Sequence, residues 1–322
     1  MDYYKLNNHI SNSSLGILKS DSPANFKKFL DGELEQEDKK YYEFGQLFHM
    51  YLLERNKFNN TVKVLEYTIP KSAQQKSFCE DMGMGKITDE RLIEVYKRVY
   101  SLSSKDDTIL KKATALYNKY KSYVSYLKHS KSYQVISKKE MAKLEEMEAS
   151  IKIHSLASQL FKYTNSIIDT GIYTFNEVAF IWEDEDNIKY KALMDRVIVD
   201  ESTKTITLID LKTTSNVWQF ESSFKKFDYS RQLAFYSGAI AKVGEKYLNL
   251  NGAIEEYTLN IYIVAVDKIT SEVRVFEIPS IVIEAQAEEL KELISRAKWH
   301  LLNDKWYYSK EYYLNNGKEV LQ

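Results

Sequence analysis

Apolar positions recur along this chain in two registers, and the change between them divides it. In residues 40–58, Phe44, Leu47, Phe48, Tyr51 and Leu52 recur at three- and four-residue intervals, which predicts an amphipathic helix. Gly45 interrupts that helix where a better helix former would serve, the mark of a close backbone approach. Ahead of it, Ser11-Asn-Ser-Ser14 caps a short helix beginning near Leu15, and Ser22-Pro23-Ala24-Asn25 opens a turn or a second helix. Residues 61–70 predict a short strand ending at Pro70, followed by a polar, Gly-containing stretch at 71–88. Residues 88–164 carry neither Pro nor Gly and predict two or three helices. From Gly171 the pattern changes. Residues 174–182, 189–199 and 205–213 alternate or are rich in β-branched side chains, with acidic and Asn-containing turns between them. A helix over 229–243, a hairpin over 257–266 and 272–278, and a last amphipathic helix over 281–303 complete the reading. The aromatic segment Trp306-Tyr-Tyr308 follows.

Strand alternation then places the chemistry. It puts Phe175, Glu177, Ala179 and Ile181 on one face, Leu193, Asp195, Val197 and Val199 on one, and Ile206, Leu208, Asp210 and Lys212 on one, with Leu211 pointing the other way. Each acid interrupts an apolar face. Burying a lone carboxylate is costly unless a cation or hydrogen bonds compensate it, and a shared Mg²⁺ or Mn²⁺ would do so. Lys212 would orient or deprotonate a water, or neutralise charge building on a phosphate. Any one of these residues alone reads as a solvated strand-end group. Together they form a minimal set for holding a divalent metal and activating water against a phosphodiester.

Composition narrows the setting. At 322 residues with a formal charge of −1, the chain is not a generally basic nucleic-acid coat, so contact with a polyanion must come from local patches. One such patch is present: residues 105–139 hold Lys105, Lys111, Lys112, Lys119, Lys121, Lys128, Lys131, Lys138 and Lys139 against only Asp106 and Asp107. Tyr117, Tyr120, Tyr123, Tyr126 and Tyr133 run through the same block. This is either a surface that neutralises phosphates and stacks on unpaired bases, or a solvated lysine face over a tyrosine-rich core. No apolar run reaches the ~20 residues of a membrane span. The opening MDYYKLNNHISNSS has no apolar signal core, so a cytosolic location is expected. Cys79, the one cysteine, offers neither an internal disulfide nor a zinc cluster. There is no phosphate-binding Gly-x-x-x-x-Gly-Lys loop, no Gly-x-Ser-x-Gly elbow and no His-Glu-x-x-His helix.

Four segments in order carry a resemblance: His9-Ile-Ser-Asn-Ser-Ser-Leu15 with Asp21-Ser-Pro23; Phe44-Gly45-Gln-Leu-Phe-His49 with Leu52-Leu-Glu54; Met194-Asp195-Arg196 with Ile209-Asp210-Leu-Lys212-Thr-Thr214; and Tyr229-Ser-Arg-Gln232-Leu-Ala-Phe-Tyr236. They resemble the PD-(D/E)XK nuclease superfamily and, within it, the RecE-type phage and prophage exonucleases. The resemblance covers residues 9–58 and about 172–240. It implies an α/β restriction-endonuclease-like core, a central mixed sheet flanked by helices, with a helical insertion. The N-terminal helical part of the core would be 1–60, the insertion 61–170, and the sheet with the motifs and C-terminal helix 171–322. It implies Asp195, Asp210, the Leu211 carbonyl and His49 as ligands of Mg²⁺ or Mn²⁺, with Glu177 either a further acid at the metal or the partner of a neighbouring lysine. Lys212 would be the catalytic lysine, and Gln232 and Tyr236, one turn apart, would touch the substrate phosphate or position Lys212. The expected activity is metal-dependent hydrolysis of double-stranded DNA from its ends, 5′ to 3′, in phage-type recombination. A single-strand annealing partner and a homo-oligomeric ring are the associated expectations. The alternatives are an endonuclease or single-strand nuclease of the same superfamily, or a non-catalytic DNA-binding protein on that fold.

Overall fold

The computed structural model of this chain describes residues 3–34, 40–162 and 171–319. They divide into two compact units, residues 1–53 with 147–322, and residues 54–146. The first begins with α1 (Asn12–Ser20), α2 (Pro23–Asp31) and α3 (Lys40–Leu53). The second holds α4 (Arg55–Thr61), β1 (Val62–Val64), α5 (Ala73–Gly83), α6 (Asp89–Tyr100), α7 (Asp106–His129) and β2 (Gln134–Ile136). The chain continues through α8 (Lys138–Ile153) and α9 (Ser155–Leu160) to the strands β3 (Ile172–Glu183), β4 (Lys189–Asp200) and β5 (Thr205–Thr214). It ends with α10 (Phe220–Lys226), α11 (Tyr229–Leu248), β6 (Thr258–Asp267), β7 (Val273–Glu277), α12 (Ser280–Asn303) and α13 (Lys310–Leu314).

The sheet of the first unit runs β3-β4-β5-β6-β7. Only β5 and β6 are parallel; every other neighbouring pair is antiparallel. The parallel step requires a crossover, and α10 and α11 supply it. One face of the sheet, with Ile206, Leu208, Ile261 and Ile263, packs against Leu15 and Leu18 of α1, Leu233 and Ala239 of α11, and Leu290 and Leu293 of α12. On the other face α3 lies against β4 and β5. Here Gly45 matters: a Cβ at that position would stand 3.0 Å from Thr213 Oγ1. The close approach expected from the sequence is therefore a real contact, between the helix backbone and the strand carrying Asp210 and Lys212.

Several local expectations are corrected. The helix predicted over 40–58 stops at Leu53, because the Leu53 carbonyl accepts a hydrogen bond from Asn176 Nδ2 (3.0 Å) and Glu54 leaves helical geometry. The polar, Gly-containing stretch 71–88 holds α5. Ser72 and Gln75 form a reciprocal capping box that starts α5, a signal that the Ser-x-x-Gln spacing carried. The strand expected over 61–70 is only three residues long. The helical block holds four helices and the short β2, and its expected end near residue 164 lies outside the described residues. The compact second unit spans 54–146, where the sequence reading set an insertion at 61–170.

The second unit has its own core of Phe78, Met82, Leu92, Val95, Ala113, Tyr120 and Val124, with Tyr117 and Tyr123 packed against it. Tyrosines 117, 120 and 123 are thus a core stripe, whereas all nine lysines of 105–139 are exposed. Cys79 is buried in that core, and burial pushes its thiol up to about 11, which makes it inert at neutral pH.

Strict alternation also fails, at one level of the sheet. In β3, Tyr173 and Phe175 face the main core, but so do Val178, Phe180 and Trp182. In β4, Tyr190, Ala192 and Met194 face it, but so do Val197 and Val199. Both strands change phase between the same two rungs: Asn176 pairs with Arg196 and Val178 with Met194, while Glu177 and Asp195 form no rung. Ala179, Ile181 and Leu193 consequently do not share a face with the residues the alternation grouped them with.

Filling the α3–β5 contact should be costly. Gly45→Val is expected to lower stability by about 1–3 kcal/mol through overpacking. Part of that loss should return in the Gly45→Val/Thr213→Ala double variant, read as urea-denaturation midpoints.

Candidate active site

The phase change sits where the sheet opens. β4 and β5 pair from Asp200↔Thr205 to Arg196↔Ile209 and no further, so Asp195 and Asp210 flank a gap between diverging strands. The Asp195 carboxylate fills part of it: Oδ2 accepts a hydrogen bond from the Leu211 N–H at 2.7 Å. Glu177, on the rung that β3 and β4 leave unmade, adopts φ +45°, a left-handed conformation that costs a non-glycine residue about 1–2 kcal/mol. Arg196 and Asn176 brace this level. Arg196 Nη1 donates to Asn176 Oδ1 (2.7 Å), its Nε donates to the Leu160 carbonyl (2.9 Å), and Asn176 in turn holds the end of α3.

Into this opening α3 delivers His49. Its Nδ1 lies 3.6 Å from Asp195 Oδ1 and 3.9 Å from Glu177 Oε1. His49, Glu177 and Asp195 each offer a ligand atom within 4.8 Å of the other two, the one such grouping among the described residues. Glu177 therefore sits with the other acids. Asp210 is outside this trio. It is 1% exposed, and its carboxylate lies 2.7 Å from Lys212 Nζ, yet neither oxygen accepts a hydrogen bond of normal geometry. Lys212 Nζ also donates to Gln232 Oε1 (3.1 Å), Gln232 Nε2 donates to the Tyr236 hydroxyl (2.9 Å), and the ammonium sits 4.7 Å from the Tyr229 ring centroid. Gln232 and Tyr236 thus form a chain that ends on Lys212. Glu54, at the start of α4, pairs with Lys57 at 2.7 Å and takes no part.

Charge explains the titration of these groups. Burial lowers His49, but the Asp195 charge and contacts with Asp195 and Glu177 outweigh it and raise the imidazole to about 10. Burial raises Asp195, but the neighbouring His49 and Lys212 hold it below its usual value. For Asp210 burial wins over Lys212 and pushes the carboxyl up to about 6. Burial lowers Lys212, but Asp210 and Asp195 outweigh it and raise it, so the amine is an ammonium at neutral pH. The phenol of Tyr236 is driven well above its usual range by burial and by both aspartates, and stays neutral. With His49 neutral, three carboxylates against one ammonium leave two negative charges, the complement of one divalent cation. A nitrogen and carboxylate oxygens converge there, and Asp210 retains unused acceptor oxygens. The donor set fits Mg²⁺ or Mn²⁺.

Comparison with known proteins identifies the family and the fold. Residues 11–309 match the family model described as a PDDEXK-like domain of unknown function (DUF3799). The chain belongs to this PDDEXK-like family. Its fold is similar to that of a Eubacterium rectale protein described as "Putative exonuclease", at 12% identity and a TM-score of 0.51, over 100% of this chain and 93% of that one. The structure of SSO0001 is more distant, at 14% identity and a TM-score of 0.24, over 65% of this chain and 87% of that one. No curated protein matches the chain. The PD-(D/E)XK core anticipated from the motifs is thus the fold observed. Missed by sequence reasoning were the Asn176–Arg196 brace and Tyr229, for which no spacing rule exists. Among the described residues no helix is long and apolar enough to cross a membrane.

Two outcomes follow. An imidazole at about 10 when folded and near 6.5 when unfolded stabilises the metal-free protein fully below pH 6.5 and loses that contribution as pH rises toward 10. Urea midpoints without divalent cation should fall across that window. His49→Gln should flatten the fall, and saturating Mn²⁺ should offset it, because the cation replaces the proton. Glu177→Gly relieves backbone strain but loses the Glu177–His49 contact and adds glycine's entropy cost, so the metal-free melting temperature should change little. The same variant should weaken Mn²⁺ binding by calorimetry about tenfold or more.

Proposed function

We propose that this chain is a divalent-metal-dependent deoxyribonuclease that degrades double-stranded DNA from its ends. The observation that carries the reading is the convergence of His49, Glu177 and Asp195 beside the buried Asp210–Lys212 pair, at the point where β4 and β5 separate. In this reading His49, Glu177, Asp195, Asp210 and the Leu211 carbonyl hold Mg²⁺ or Mn²⁺. A cation so held supplies charge neutralisation at the phosphate and lowers the cost of deprotonating water. Lys212, an ammonium, acts as a fixed positive charge on a phosphate oxygen rather than as a base. Gln232 and the neutral Tyr236 keep that ammonium aimed, because each holds the next by a hydrogen bond. They are positioning residues.

The exonuclease direction, 5′ to 3′, and a role in phage-type recombination with a single-strand annealing partner rest on the motif resemblance to RecE-type enzymes. The "Putative exonuclease" description of the E. rectale protein supports the exonuclease part of the reading and nothing finer. A ring around the duplex belongs to the same resemblance.

The test incubates the protein and Mg²⁺ with linear and with covalently closed circular DNA. Loss of the linear form alone supports an exonuclease, degradation of both an endonuclease, and degradation of neither a DNA-binding protein on a nuclease fold. Asp210→Ala and Lys212→Ala should each lower kcat by about 10²- to 10³-fold. Unchanged cleavage by Asp210→Ala would remove this site from the reaction.

A further inference from the structure

The catalytic strand continues laterally into a second cationic position. Lys212 is in register with Ala265 of β6, and Ala265 with Arg274 of β7. Residues opposite one another in a ladder project to the same face, and neighbouring strands are ~4.8 Å apart, so Arg274 lies about 10 Å from Lys212 on the same face. The residue between them is alanine, which keeps the row low. Arg274 makes no ion pair among the described residues. Its guanidinium instead lies between two rings, 4.9 Å from the centroid of Phe276 and 5.1 Å from that of Trp218. Glu272, two residues earlier, is engaged elsewhere, accepting from Trp218 Nε1 (3.1 Å) and Thr270 Oγ1 (3.0 Å).

Trp218 is the unexplained member. It follows β5 by four residues and is 67% exposed, although a tryptophan gains most from burial. It is not loose: Glu272 fixes its N–H and Arg274 covers part of the ring. Between it and the active site runs a continuous aromatic layer. Phe276 stacks on Phe220 (5.1 Å between centroids), Phe220 on Tyr229 (5.9 Å), and Tyr229 faces Lys212.

We infer that Trp218 and Arg274 form a binding site for an unpaired nucleotide of the DNA strand being cut, Trp218 stacking on its base and Arg274 holding a phosphate. The inference rests on the nuclease reading above and deepens it. A separation of about two strand spacings keeps the held phosphate on the same strand, within a few nucleotides of the one at Lys212. Ring stacking is tolerant of base identity, so the site favours an unpaired end without selecting a sequence. A planar guanidinium free of carboxylates is suited to a phosphate.

The experiment measures binding of fluorescein-labelled oligonucleotides, duplex with and without a single-stranded overhang, by anisotropy with Ca²⁺. It compares the full chain with Trp218→Ala, Trp218→Phe and Arg274→Gln, and melting temperatures report folding. Trp218→Ala should weaken binding of the overhang DNA about 5- to 150-fold, and Trp218→Phe should recover most of it. Arg274→Gln should reduce the salt dependence by about one phosphate contact. A single abasic nucleotide, scanned along the overhang, should reproduce the loss at one position in the wild type and add nothing in Trp218→Ala. Binding by Trp218→Ala within twofold of wild type, or additive losses in the abasic scan, would overturn the site. If wild type still cuts DNA in parallel Mg²⁺ assays, the nuclease reading survives that result. If wild type neither binds nor cuts DNA, both readings fall together.

Discussion

The gap between β4 and β5 is the constraint on which the rest of the site depends. A backbone N–H taken out of a ladder and kept from water must find another acceptor. Leu211 meets that requirement with the Asp195 carboxylate at 2.7 Å. That bond fixes Asp195, which in turn faces His49, and at the same level β3 and β4 leave Glu177 without a rung and in a left-handed conformation. A fully paired sheet would have satisfied its backbone internally and left no room for side chains to converge.

Two subsites with different electrostatics share one stretch of β5. On one side His49, Glu177 and Asp195 assemble a negative cluster suited to a cation. On the other, Asp210 is paired with Lys212, whose ammonium is held by Gln232 and faces the Tyr229 ring. Leu211 stands between them and contributes only its backbone. β5 thereby presents the Asp210–Lys212 pair, set together by alternation, beside a cation cluster drawn from α3, β3 and β4, and the Leu211 backbone links the two through Asp195.

Much of this was legible in the sequence. Asp210 and Lys212 fall together because a strand has period two, and Gly45 marked a close contact because glycine is a poor choice inside a helix. The hairpin of β6 and β7 was read from its two alternating segments, and the mixed character of the sheet was implied by the resemblance. What escaped was the irregular part. Alternation assigned Glu177 and Asp195 to apolar faces, and no propensity rule announces that both strands change phase at that level. The Asn176–Arg196 brace escaped too, because it depends on α9 and α3 meeting the strands, a tertiary event. The tyrosines of 105–139 read equally well as a surface or a core until packing placed three of them inside.

His49 and Asp195 are 146 positions apart in the chain, and the residues between them include a whole compact unit. A ribosome adding about 5–20 residues per second needs ~7–30 s to travel from one to the other. For most of that interval α3 has its histidine but neither carboxylate of the trio, Glu177 arriving shortly before Asp195, so no growing fragment shorter than 195 residues can carry the assembled centre. Covalent order thus acts as a timer: the centre is completed late in synthesis.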